Sequence, residues 1–245
     1  MQNIIIIGAT SAMAKEVAKL YATEKANLYL IARDTSKLDT IKQDLTVRGA
    51  NTVHTAPFDA NQFNSHPALI EQAFNALGRV DVLLVAHGSL PNQELCKTDS
   101  MKAIEELNTN GVSVISLLTH AAIKMEQQKS GNITVITSVA GDRGRQSNYV
   151  YGAAKGMVST FLQGLDQRLS KSGVHILDIK PGFVDTPMTA EFDKSVLWAK
   201  PDKVAKIITN RIRKRSSLSY TPFFWFFIMK IIRFIPQFIF NKIKL

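Results

Sequence analysis

Ile4-Ile5-Ile6-Ile7-Gly8-Ala9-Thr10-Ser11-Ala12-Met13-Ala14 stands near the start of a 245-residue chain and runs from four isoleucines through a glycine into an alanine-rich segment. An apolar run without polar alternation predicts a strand buried on both faces. The segment beyond it predicts a helix over Ala12–Glu24. Gly8 therefore falls at a strand-to-helix turn, where its freedom of φ is useful. A turn of this kind points backbone N–H groups and the helix dipole at an anion such as a phosphate.

The alternation continues outward from that unit. Further strands are predicted over Asn27–Ala32, Asn51–Ala56, Val82–Ala86, Ile133–Thr137 and Val174–Lys180, with a short seventh over Leu218–Thr221. Helical spacing of apolar residues marks Ser36–Arg48, Phe63–Leu77, Met101–Gln128, Tyr149–Lys171 and Pro201–Arg213. Strands and helices in strict alternation, several strands lacking a polar face, predict the α/β class: a Rossmann-like, doubly wound parallel sheet flanked by helices on both faces. Such sheets bind ligands beyond the carboxyl ends of their strands, where the strand order reverses.

Composition narrows the setting. Hydrophobic residues make up 45% of the chain and charged residues 20%, enough for a sizeable core and against global disorder. Cys96 is the single cysteine, which rules out an intramolecular disulfide and a cysteine-rich metal site, and fits a reducing compartment. The N-terminus has no basic leader, so a cytoplasmic protein is expected. From Lys200 onward eleven basic residues face one acid, Asp202, and this region carries the whole formal charge of +10. Residues 1–215 are read as the Rossmann-like domain and 216–245 as a basic, aromatic extension.

At the phosphate turn the common dinucleotide fingerprint has two more glycines; here Ala12 and Ala14 hold those places. Taken alone, Gly8, Thr10, Ser11, Ala12 and Met13 are equally consistent with a cofactor loop and an ordinary strand–helix turn. The second strand ends Ala32-Arg33-Asp34. An acid at the strand end would take the ribose 2′-hydroxyl of NAD, whereas a guanidinium suits a 2′-phosphate. Arg33 thus favours NADP(H) over NAD(H), with Asp34 next door.

The chemistry is concentrated in Tyr151-Gly-Ala-Ala-Lys155. A tyrosine and a lysine four apart share a helix face, and an ammonium near a phenol is expected to lower the phenol's pKa. Such a group can protonate a carbonyl oxygen as hydride arrives. Ser138, just past the fifth strand, could hydrogen-bond the same oxygen.

In these residues the sequence resembles the classical short-chain dehydrogenase/reductase family, over roughly residues 4–188. The resemblance implies an enzyme reducing a carbonyl to an alcohol, with Ser138, Tyr151 and Lys155 as its catalytic residues. The family's catalytic Asn falls on Asn108 in Leu107-Asn108-Thr109-Asn110-Gly111, with Asn110 a near neighbour. Asp59 matches the acid that binds adenine. In Pro181-Gly182-Phe183-Val184-Asp185-Thr186, the Val184 backbone and Thr186 would hold the nicotinamide carboxamide. Two departures stand out. One is the pair of alanines in the glycine loop. The other is Val85-Ala86-His87-Gly88, where the family has Asn-Asn-Ala-Gly; there Gly88 would still meet the cofactor, and His87 is read as a buried, hydrogen-bonded histidine. The resemblance also implies a homodimer or homotetramer through the two long helices.

The extension Ser219–Leu245 is rich in Phe, Ile and Trp. Lys230, Arg233, Gln237, Asn241 and Lys244 recur three and four apart, which predicts an amphipathic C-terminal helix beginning at Pro222 and kinked at Pro236. Its uncharged run is shorter than the ~20 residues of a transmembrane span. Arg211, Arg213, Lys214 and Arg215 precede it. Cations beside aromatics suit a helix lying at the inner face of a membrane; a subunit contact or a core-covering helix is the rival reading, and nucleic acid is not expected. This pattern is similar to the keto-reductase component of decaprenylphosphoryl-ribose 2′-epimerase, which implies a lipid-linked 2-keto sugar as substrate. A generic ketone or 3-oxoacyl reductase and a non-enzymatic nucleotide-binding protein remain as alternatives.

Overall fold

The structure, a computed structural model, describes residues 1–243. Its seven strands are β1 (Asn3–Ile7), β2 (Asn27–Ala32), β3 (Thr52–Pro57), β4 (Val82–Val85), β5 (Gly131–Ile136), β6 (Val174–Pro181) and β7 (Leu218–Thr221). They form one sheet in the order β3-β2-β1-β4-β5-β6-β7, every neighbouring pair parallel. The order reverses between β1 and β4, and a crevice opens there at the carboxyl edge.

The isoleucine run explains the two layers. Ile5 and Ile7 point to one face, where they pack with residues of α3 (His66–Leu77), α6 (Ser113–Gln128) and α7 (Tyr149–Leu169). Ile4 and Ile6 point to the other, against α1 (Ala12–Thr23), α2 (Thr35–Val47) and α8 (Pro201–Arg213). All four side chains are fully buried. A strand covered on both faces must read as continuously apolar, because successive side chains serve opposite layers.

The expected helix Met101–Gln128 is broken into pieces. The short α4 (Gln93–Thr98) and then α5 (Ser100–Leu107) come first, and a π-turn over Asn108–Val112 leads into α6. Asp99 starts α5 by accepting hydrogen bonds from the Met101 and Lys102 amides, at 2.9 and 3.1 Å. Within the π-turn, Gly111 lies so close to α7 that an added Cβ would sit 3.5 Å from Ala154 and closer still to the tip of Met157. The widened turn inserts an extra residue and swings Asn110 inward.

The C-terminal region also differs from a single striped helix. β7 pairs with β6, so residues beyond 215 complete the sheet and are not an appendage. α9 (Phe224–Phe234) stops before Pro236, and α10 (Gln237–Phe240) follows. Lys244, the last member of the expected stripe, lies outside the described residues. Trp225 is 3% exposed and Met229 fully buried, packed with Val139 and Tyr220. Trp225 lies directly on Gly182, where any Cβ would overlap its ring. At the other end of α9, the Arg143 guanidinium donates to the carbonyls of Ile232 (2.5 Å) and Ile235 (2.6 Å) and lies 3.8 Å over the Phe240 ring. This satisfies carbonyls that a helix end leaves open and places a cation at the negative pole.

Truncating Trp225 leaves a cavity under α9. Trp225→Ala is expected to cost about 3–5 kcal/mol, a fall in Tm of roughly 10 °C for a chain of this length. Thermal unfolding followed by circular dichroism measures it.

Candidate active site

The crevice at the strand-order reversal is a cleft of 530 Å³. Gly8, Thr10, Ser11, Ala12, Met13, Arg33, Asp59, Gly88, Ser138, Tyr151, Lys155, Pro181, Gly182, Val184 and Thr186 all line it. Of the catalytic and cofactor-binding residues expected from the sequence, Asn108 does not.

The turn after β1 is built tightly. The Gly8 and Ala9 amides both donate to the Ile31 carbonyl, at 2.8 and 3.0 Å, tying the turn to the end of β2. Gly8 has φ +83°, and a Cβ there would stand 2.4 Å from the His87 backbone nitrogen. Glycine is needed both for the dihedral and for the close approach. Ser11 caps α1 without a side-chain hydrogen bond, so the amides of the first turn are not consumed by a serine or threonine cap.

Arg33 is exposed at the rim and, among the described residues, has no acidic partner. Asp34 is engaged elsewhere. It caps α2 by accepting from the Lys37 amide at 3.0 Å and pairs with the Lys37 ammonium at 2.9 Å. Asp59 accepts from the Asn61 amide at 3.0 Å.

At the cleft floor, Ser138 follows β5 and Tyr151 and Lys155 are on α7. The Ser138 hydroxyl lies beside the Tyr151 phenol and favours its charged form, and it accepts from the Ala140 amide at 3.1 Å. Lys155 is 4% exposed, donates to the Ile136 carbonyl at 3.5 Å and has its Nζ 5.6 Å from the centre of the Tyr151 ring. The electrostatics correct one expectation. Burial pushes the Tyr151 phenol up to about 12, and the Ser138 hydroxyl only partly opposes it. Burial likewise pulls Lys155 down to about 8, with the Asp178 carboxylate acting in the opposite sense. Desolvation penalises the charged form of both groups and outweighs their attraction. In this state the pair is a neutral phenol beside an ammonium that titrates near 8.

The asparagine beside Lys155 is Asn110. It is fully buried, and its Oδ1 accepts from the Ser89 amide at 3.0 Å while its Nδ2 donates to the Ser89 hydroxyl and the Glu106 carboxylate, both at 3.0 Å. A Cβ on Gly88 would meet Asn110 Oδ1 at 2.7 Å and Lys155 Nζ at 3.4 Å, so these groups converge on one point. Asn108 is half-buried at the start of the π-turn. The motif's spacing does not reveal the two-residue shift, because the π-turn sets which asparagine faces inward. His87 also lines the cleft. Burial pushes its imidazole down to about 3, and its Nε2 is 2.8 Å from the Ser113 hydroxyl, as for a structural, uncharged histidine.

The opposite wall comes from the segment after β6. Phe183 stacks on Trp198 with ring centres 5.2 Å apart and meets Trp225 edge-on at 5.1 Å. Val184 is bridged to Ala199, and the Thr189 hydroxyl donates to the Val184 carbonyl at 2.7 Å. Sequence reasoning missed Phe183, Trp198 and Arg145 as cleft residues. All three lie in loops following β5 or β6, and position at a strand's carboxyl end was the available signal.

Comparison with known proteins agrees with this geometry. The family described as short chain dehydrogenase matches residues 2–196. An uncharacterized oxidoreductase of Mycobacterium tuberculosis is 31% identical over 239 residues, covering 98% of this chain and 96% of its own. One from Streptomyces coelicolor is 29% identical over 243 residues, covering 99% and 96%. Among solved structures, a variant actinorhodin polyketide ketoreductase with NADPH superimposes with a TM-score of 0.79 at 21% identity, covering 89% of this chain and 94% of that one. A short-chain dehydrogenase/reductase from Mycobacterium ulcerans gives 0.79 at 20% identity, covering 89% and 87%.

The two asparagines separate experimentally. Asn110→Ala strands the Ser89 amide and is expected to cost about 1–3 kcal/mol, whereas Asn108→Ala stays within about 0.5 kcal/mol. Urea unfolding of both variants measures the difference.

Proposed function

The chain belongs to the short-chain dehydrogenase family and is an oxidoreductase, and from that premise we propose that it reduces a carbonyl to an alcohol at Tyr151 with NADPH as cofactor. The observation that carries this reading is the meeting of Ser138, Tyr151 and Lys155 on the floor of the cleft. The residues present fit a dinucleotide. Gly8 leaves no room for a Cβ, the first turn of α1 lacks a side-chain cap, and Arg33 is available to a 2′-phosphate while Asp34 is not. The known relatives with NADPH or NADP bound in a similar fold favour the same cofactor.

Held by the Gly8 turn, the first-turn amides of α1 and Arg33, NADPH would supply the hydride for the carbonyl carbon. Tyr151, a neutral phenol at physiological pH, donates its proton to the carbonyl oxygen. The Lys155 ammonium stabilises the phenolate as it forms, a charge that exists only late in the step. Ser138 donates a hydrogen bond to the same oxygen, and Asn110 holds the ground beside Lys155 with Ser89 and Glu106.

The substrate is proposed to be lipid-linked, a 2-keto sugar on a polyprenyl phosphate. The apolar wall of Phe183, Phe192 and Trp198 and the outward face of α9 support this reading. Phe227 (55% exposed), Ile231 (68%) and Phe234 (78%) form an exposed apolar row beside Lys230 and Arg233. Among the described residues no helix is long and apolar enough to cross a membrane. Exposed aromatics with flanking cations suit peripheral contact with an anionic bilayer surface, on the cytoplasmic side. Exposed Met101, Ile104 and Tyr149 on α5 and α7 support subunit pairing through those helices.

Tyr151→Phe is expected to lower NADPH-dependent ketone reduction by about 10²–10⁴-fold, with NADPH affinity by calorimetry unchanged. In the unaltered chain, turnover should fall as pH rises through about 8, where the depressed Lys155 loses its proton; a profile flat to pH 10 contradicts the role of the ammonium. For the membrane, the triple change Phe227→Ser, Ile231→Ser, Phe234→Ser should abolish co-sedimentation with phosphatidylglycerol vesicles without lowering Tm. Equal sedimentation of both proteins rejects the contact.

A further inference from the structure

We propose that Arg145 binds an oxyanion, a phosphate or a carboxylate, carried by the substrate beside the carbonyl that is reduced. The inference rests on the reductase reading above and specifies its substrate class.

Arg145 lies in the loop between Ser138 and Tyr151, half-buried in the cleft wall. Its Nε is buried without a hydrogen-bond partner, and among the described residues its guanidinium has no acidic neighbour. Burial draws the group below its ordinary pKa, as expected of a cation whose water has been removed without replacement. Three residues on, Asn148 also lines the cleft, and its Oδ1 is buried and unpartnered. Two orphaned polar atoms of opposite sense in one loop, both beside Tyr151, make a paired donor and acceptor for a ligand that carries charged oxygen and a hydroxyl.

The loop is held in place. The Asn148 amide donates to the Arg145 carbonyl at 3.1 Å, and the Asn148 carbonyl accepts from Gly152 at 2.9 Å in the first turn of α7. At the start of that 21-residue helix Asn148 makes no side-chain cap, though Gln93 accepts from the Val150 amide at 3.1 Å, and the helix's positive pole lies on the same side as the guanidinium. Among the cleft-lining residues between Ser138 and Trp198 in the sequence, the charged ones are Lys155 and Arg145, and Glu106, beside Asn110, is already engaged by Ser89 and Asn110. Lys155 serves the phenol, which leaves Arg145 as the cation for substrate recognition.

Arg145 also lines a neighbouring recess bounded by Gln237, Phe240 and Ile243. It stands between the reacting end of the cleft and the apolar C-terminal helices. A phosphate placed there would have its sugar directed toward Tyr151 and its hydrocarbon chain toward α10.

Calorimetric titration of the full chain, with and without NADP⁺, tests the assignment using farnesyl phosphate, farnesoate, farnesol and inorganic phosphate. Farnesyl phosphate or farnesoate should bind at least about tenfold more tightly than farnesol. Arg145→Gln should erase that advantage, and Arg145→Lys should retain part of it. Arg145-dependent binding of inorganic phosphate would identify a free phosphorylated substrate; dependence seen only with the farnesyl anions would identify a lipid headgroup. Equal binding of anion and alcohol by the unaltered chain, or an unchanged preference in Arg145→Gln, overturns the proposal. NADPH affinity and Tm of Arg145→Gln should match the unaltered chain. Loss of NADPH binding by the unaltered chain would instead strike the reductase reading, leaving the anion result to stand or fall separately.

Discussion

A lysine ammonium buried at the carboxyl edge of the sheet is the constraint around which the cleft is arranged. Among the described residues Lys155 has the Ile136 carbonyl as its only hydrogen-bond acceptor, and the Asp178 carboxylate favours its charge. Removing water from a cation is costly unless fixed dipoles replace it. The surroundings are correspondingly ordered: Gly88 has no side chain, Asn110 is locked by Ser89 and Glu106, and the π-turn exists to bring that asparagine within reach. The amine is left proton-bearing at neutral pH, yet only narrowly.

A second buried group of charges ties this centre to the sheet's last strand. Asp178 accepts from Thr137 at 2.5 Å and lies 3.8 Å from Lys180. Lys180 pairs with Asp142 at 2.5 Å, and Asp142 accepts from the Tyr220 hydroxyl at 2.5 Å. Asp142 and Arg143 are adjacent, so one short loop holds β7 through the first and the end of α9 through the second. That loop begins at Ser138. The segment with the most membrane-like composition is therefore clasped to the segment with the chemistry.

Much of this was legible in the sequence because burial on two faces leaves an unmistakable pattern. The isoleucine run, the alternation and the Tyr151/Lys155 pair predicted the doubly wound sheet and the cleft floor. What escaped depended on interactions remote in sequence. Asn110 displaces Asn108 because Gly111 must approach α7, and spacing within one helix cannot report a contact with another. The Tyr151 phenol rises where a fall was expected because burial is a property of the whole fold, while a four-residue spacing reports only the neighbour. Trp225 faces inward because Gly182, over forty residues earlier, offers it a seat, while the break between α9 and α10 falls at Pro236, where the sequence placed a kink.

The seat of Trp225 on Gly182 has a consequence for biogenesis. The wall of the cleft is backed by Trp225, made after the residues that carry the chemistry, and the edge strand before it pairs with β6, made earlier. A nascent chain can assemble five or six strands early, since parallel pairs joined by helices form as each unit emerges. It completes the backing of its pocket only after Trp225 has been made and has reached Gly182. The order of the chain thus sets that wall of the pocket after its floor.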